Sequence, residues 1–167
     1  NVTALEHLIA SCIEIEAFLI QLSTDFIFDG FAGPYAEEAA AHPLSYYGQS
    51  KLASENLLKA SSVNSAIVRT VLVYGVAHDM SKLNIILWVK RSLEQGEKIQ
   101  VINDQWRTPT LAEDLAAGCM TIAQKKAKGI FNLSGKDLLT PYEMALKTAH
   151  FFNLDTSMIE EVDGSVF

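Results

Sequence analysis

Tyr47 and Lys51 stand four residues apart in the run PLSYYGQSKLASE, residues 43–55. On a helix that spacing puts both side chains on one face. A phenol is a poor proton donor or acceptor near neutral pH, because its ordinary pKa is about 10. A neighbouring ammonium favours the phenolate and moves the group toward the range where general acid–base catalysis works. Tyr46 pairs with Ser50 instead and gains no cation from its own face. Tyr47 is therefore the candidate proton donor and Lys51 its activator. Helices produce Tyr-x-x-x-Lys by chance, so the pair needs a third group. LSTDFIFDG offers Ser23 and Thr24 where a short apolar run ends, and ligands of open parallel sheets bind outside the carboxyl ends of strands. A hydroxyl there can hold a carbonyl oxygen beside the Tyr47 phenol. Asp25 reads as a turn-former or a brace for the loop.

Those residues must be carried by regular elements. Leu5, Leu8, Ile9, Cys12 and Ile13 have the spacing of one helical face, predicting a helix over 2–16. AFLIQLS (17–23) fits a buried parallel strand. Residues 25–45, rich in Gly, Pro and acid, read as a long loop. Residues 46–60 read as a helix with Leu52, Leu57 and Leu58 inward, and 65–75 as a second buried strand. Strand, helix and strand in this rhythm argue for a parallel sheet covered by helices. Further on, an apolar helix spans 81–95 before Gly96, and KIQVI is a short strand. Thr110 and Glu113 have capping-box spacing for a helix to 126. GIFNLSG is a strand and turn, and Thr140, Pro141 and Glu143 open a last helix. No sequence repeat or low-complexity segment stands out.

The composition narrows the classes. The 167 residues suffice for one domain with a real core. A net charge of −7 and a pI near 5.0 argue against nucleic acid as a partner. No apolar run has the length of a membrane span, and the first residues do not read as a signal peptide. Cys12 and Cys119 are too few and too far apart to suggest a zinc site or a disulfide framework. As core thiols they suit a reducing cytoplasm. His7, His42, His78 and His150 show no metal-ligand spacing and read as surface or packing residues. Glu37 and Glu38 read as a solvated loop edge.

STDFIFDG, GPYAEEAAAHPLSYYGQSKLASE, IVRTVLVYG, DQWRTPT and GIFNLSG, in this order, resemble the extended short-chain dehydrogenase/reductases. Within them the chain is most similar to the dTDP-4-dehydrorhamnose reductase, or RmlD-like, branch. The resemblance implies an α/β fold: a partial Rossmann-like parallel sheet with flanking helices, plus a smaller C-terminal substrate-binding region. Residues 1–75 would be the distal part of the dinucleotide-binding domain, with the Tyr/Lys helix. Residues 76–167 would be mostly substrate-binding and truncated. It implies a catalytic trio of Thr24, Tyr47 and Lys51, with Thr24 on the substrate carbonyl, Tyr47 giving the proton, and Lys51 tuning Tyr47 and holding the nicotinamide ribose. NADPH or NADH would be the cofactor, met by Ser23, Tyr47, Lys51 and Leu72. The substrate would be a nucleotide-linked sugar, met by Asn84, Gln105 and Arg107. Arg107 suits its diphosphate, because a planar guanidinium fork matches such oxygens; the alternative is a surface ion pair. Trp106 reads as a core or interface residue ahead of a base-stacking platform. The expected location is cytoplasmic, with no membrane or nucleic-acid partner and with a homodimer compatible.

Two departures qualify that picture. The chain contains no G-x-G-x-x-G or G-x-x-G-x-x-G, the turn that binds a pyrophosphate in this family. The resemblance therefore implies a chain that lacks the N-terminal part of the fold and can offer only the nicotinamide half of a cofactor site. The branch also tends to carry a Trp where this chain has Leu72. Two other readings share the same residues. A nucleotide-sugar epimerase uses the trio, whereas a dehydratase would want a Glu after Asp25. The regulatory subunit of methionine adenosyltransferase resembles the same branch and acts as a binding partner.

Overall fold

The structure, a computed structural model, describes residues 1–76 and 83–166. His78 and the first two residues of the helix expected over 81–95 lie outside them. The helices are α1 (Val2–Glu14), α2 (Tyr46–Ala60), α3 (Ile85–Glu94), α4 (Ala112–Lys125) and α5 (Pro141–Phe152). The strands are β1 (Leu19–Thr24), β2 (Ser65–Thr70), β3 (Val73–Tyr74), β4 (Ile99–Ile102), β5 (Thr110–Leu111), β6 (Gly129–Asn132) and β7 (Ile159–Val162). Each of these strands pairs in parallel with its neighbours, so the α/β architecture is the expected one.

The chain divides into two compact units that interleave in sequence: 1–71 with 114–134, and 72–113 with 135–167. The sequence suggested a single boundary after residue 75. The segment 114–134 belongs with the first unit because β6 pairs with β2 and α4 packs beside it.

In the first unit the sheet order is β1-β2-β6. Successive side chains of a strand point to opposite faces, and β2 uses both. Ile67 packs with Leu5 and Ile9 of α1 and Leu58 of α2, while Ala66 and Val68 pack with Leu115 and Ile122 of α4. A β2 buried on both faces explains its unbroken apolar run, as parallel strands require. In the second unit Val89 and Leu93 of α3, Ala145 and Ala149 of α5, Ile99 and Val101 of β4 and Ile159 of β7 form one core.

Several expected boundaries move, each for a local reason. The run 65–75 is two strands, because Leu72 takes a positive φ of 39° and ends the ladder. Thr110 does not cap α4; its backbone is taken by the β3–β5 pairing, and the helix starts at Ala112. Helix α3 starts at Ile85 because Asn84 caps it, its Oδ1 accepting from the Leu87 amide at 3.1 Å. Strand β7 lay in a tail with no expected element. The α5 capping box forms as read, Thr140 and Glu143 each satisfying the other's amide.

Candidate active site

Helix α2 begins against the chain that leaves β1. Ser45 caps it, Oγ accepting from the Gly48 amide at 3.0 Å. A Cβ at Gly48 would lie 2.1 Å from the Phe26 carbonyl oxygen, so only glycine admits this approach. Beside it, the Tyr47 ring meets the Phe26 ring edge-on, centroids 5.9 Å apart. Tyr47 is 50% exposed, so its ring is open to solvent and not sealed in the core. One turn on, the Lys51 ammonium donates to the Leu22 carbonyl of β1 at 2.6 Å. Burial pulls the Lys51 pKa below its ordinary value, opposed by the Glu55 charge.

Thr24, at the end of β1, is buried and closes the same corner. Its Oγ1 donates to Asp25 Oδ1 at 3.1 Å and accepts from the Phe26 amide at 3.3 Å. Thr24, Tyr47 and Lys51 thus gather around Leu22–Phe26 at the carboxyl end of a parallel strand. The Thr24 hydroxyl proton, however, is already given to Asp25.

Ser23 faces the helix, and its Oγ donates to Glu55 Oε1 at 2.6 Å. Glu55 is fully buried and held by Arg69, whose Nε meets Oε1 at 3.0 Å and Nη2 meets Oε2 at 2.8 Å. Burial alone would raise the Glu55 pKa. Hydrogen bonds from Arg69 and Ser23 and the charges of Arg69 and Lys59 outweigh it and hold the carboxyl below its ordinary range. Arg69 also donates Nη1 to the Glu37 carbonyl at 2.8 Å and lies over the Phe28 ring, 5.3 Å from its centroid. Glu37 is no free loop edge: its Oε1 accepts from the Asn132 amide at 2.9 Å. The Asn132 side chain in turn donates to the Tyr35 carbonyl, and Tyr35 stacks on Phe28. The long loop is therefore fastened to the carboxyl ends of β2 and β6.

Sequence reasoning passed over Glu55 and Arg69, since charged residues read as solvated. A signal existed: Glu55 follows Lys51 by one helical turn, and Arg69 stands inside an apolar strand.

The remaining expected site residues lie in the second unit. Leu72 is partly exposed. Asn84 donates Nδ2 to the Gly75 carbonyl at 2.7 Å while capping α3, so much of its amide is committed locally. Gln105 Oε1 accepts from Arg107 Nη2 at 3.1 Å, and Arg107 pairs backbone to backbone with Leu139. Trp106, expected in a core or interface, is 56% exposed. Among the described residues no group of His, Cys, Asp or Glu could hold a metal ion, and no helix is long and apolar enough to cross a membrane.

The family model for the RmlD substrate binding domain matches residues 1–167. The chain belongs to that family. Methionine adenosyltransferase 2 subunit beta of Xenopus laevis is 31% identical over 97% of this chain and 50% of its own length. A dTDP-4-keto-6-deoxy-D-glucose reductase of Streptomyces niveus is 34% identical over 93% of this RmlD-family chain and 54% of its own. Among solved structures, dTDP-4-dehydrorhamnose reductase from Bacillus anthracis in complex with NADP superposes with a TM-score of 0.92 at 26% identity. That match covers 100% of this chain and 58% of the other. The chain spans about half the length of the curated relatives it matches.

Proposed function

We propose that this RmlD-family chain carries the proton-donating and substrate-holding part of an NADPH- or NADH-dependent reductase. Its substrate is a keto group on a nucleotide-linked sugar, and its setting is cytoplasmic. The observation that carries the reading is the gathering of Thr24, Tyr47 and Lys51 at the end of β1, with Tyr47 open to solvent. The similar reductases named above support it.

Thr24 turns its hydroxyl from Asp25 to the ketone oxygen. Tyr47 gives its phenolic proton to that oxygen as it becomes an alcohol. The reduced nicotinamide, when bound, supplies hydride to the keto carbon. Lys51 holds the ribose side and balances the phenolate left behind. The residues present suit that end of the cofactor, since an ammonium and a phenol stand together at an accessible strand end. Ser23 has given its proton to Glu55 and offers only an oxygen lone pair. In the second unit, the family resemblance makes Leu72 the candidate for an apolar contact, Arg107 for the diphosphate, and Asn84 and Gln105 for sugar hydroxyls.

The test is turnover of a dTDP-4-keto-6-deoxy sugar with NADPH or NADH, together with thermal shift by each cofactor. Stabilisation follows from binding to the native state. The absence of both stabilisation and turnover would overturn the reading. A second reading draws on the likeness to methionine adenosyltransferase 2 subunit beta: the chain serves as a subunit of a larger assembly. Cofactor indifference together with stable association with a methionine adenosyltransferase chain favours it.

A further inference from the structure

Helix α2 touches the end of β1 at three successive turns. Gly48 lies against the Phe26 carbonyl, Lys51 bonds the Leu22 carbonyl, and Glu55 bonds the Ser23 hydroxyl. The first contact carries no directional bond. The second is a single bond from the tip of a flexible four-carbon stem and does not by itself fix the helix. Only the third is rigid. Ser23 and Arg69 are direct partners in the β1–β2 ladder, and both bond the Glu55 carboxylate. Two adjacent strands therefore fix where that carboxylate must lie. A slip of the helix by one residue, about 1.5 Å, breaks its three bonds of 2.6, 3.0 and 2.8 Å together.

We propose that Glu55 is a positioning residue: through Ser23 and Arg69 it sets where α2 lies along β1, and so where Tyr47 and Lys51 stand. The proposal rests on reading that strand end as the reacting site. A buried ion pair is poor evidence for stability, because well-packed apolar residues often replace one without loss. That allows placement and stability to be separated by experiment.

Glu55→Gln leaves the buried Arg69 cation unpaired and risks the fold. The neutral double variant Glu55→Met/Arg69→Met is the deciding one, with Ser23→Ala, which removes only the β1 leg, as its milder counterpart. Fold is checked by circular dichroism and thermal melting. The readout is the titration of Lys51, followed by NMR of side-chain-labelled lysine. If Glu55 positions the helix, Lys51 leaves the Leu22 carbonyl in the double variant, its burial is relieved, and its midpoint rises toward that of an exposed lysine. Ser23→Ala moves it less in the same direction. Turnover falls roughly 100-fold, as a displacement on the order of 1 Å does. A midpoint that drops means Glu55 acts only as a nearby charge on a lysine that stays in place; an unchanged midpoint means the brace serves stability alone. Either result overturns the proposal. An inert wild type retires the reductase reading without touching the lysine measurement.

Discussion

Thr24 and Tyr47 meet the same short piece of chain from two sides, Thr24 through the Phe26 amide and Tyr47 through the Phe26 ring. Their hydroxyls differ. Thr24 already gives its hydroxyl proton to Asp25, whereas the Tyr47 ring meets Phe26 edge-on and is half exposed. Tyr47→Phe therefore removes one oxygen from a half-exposed ring. It should leave stability within about 0.5 kcal/mol while turnover falls by roughly 10²- to 10⁴-fold. Nicotinamide absorbance and thermal melting check the two halves, and unchanged turnover would retire Tyr47 as the acid. The candidate trio could be named from residue type and spacing together with the family resemblance. Glu55 and Arg69 could not, since burial of a charge pair depends on which strands become neighbours.

The first turn of helix α2 is capped by Ser45 and lies close against the Phe26 carbonyl at Gly48. Ser45→Ala removes the cap on the Gly48 amide and should cost about 1 kcal/mol in urea denaturation. Gly48→Ala should cost more, about 1–3 kcal/mol, because the added carbon meets a backbone oxygen that cannot swing aside. Gly118→Ala is the control. Its Cβ also falls 2.1 Å from an atom, but that atom is the Leu133 Cδ1, the far end of a side chain with other rotamers. A larger loss at Gly118 than at Gly48 would contradict this account of the helix–strand contact. Element boundaries were read well where local chemistry decides them, as at Thr140 and Glu143. They were misread where pairing decides: Thr110 and Glu113 have the same spacing, yet the partner strand β3 takes Thr110. Strand β7, four residues long, has two glutamates and gains its apolar contact from Ile159 in a core that only the folded unit assembles.

At the scale of the molecule the buried carboxylate sets acid sensitivity. Glu55 has a folded pKa below its ordinary 4.5, so the folded state favours its charged form. The stability this contributes is fully present above 4.5 and is lost as pH falls through the lower folded value. Glu55→Gln should be less stable at neutral pH, and its melting temperature should fall less steeply on acidification than that of the wild type. Asp29 and Glu37 are also depressed, so the difference between the two proteins isolates Glu55. Parallel slopes would show that Glu55 is not the group responsible. The sheet carries a last consequence. Strand β2 needs β6 on its second edge, yet the whole 72–113 segment of the other unit is encoded between them. A ribosome adding about 5–20 residues each second leaves that edge bare for roughly 3–12 seconds after β2 emerges. During this interval the nascent polypeptide exposes a sticky apolar ribbon, and holding chaperones would be expected to engage it there.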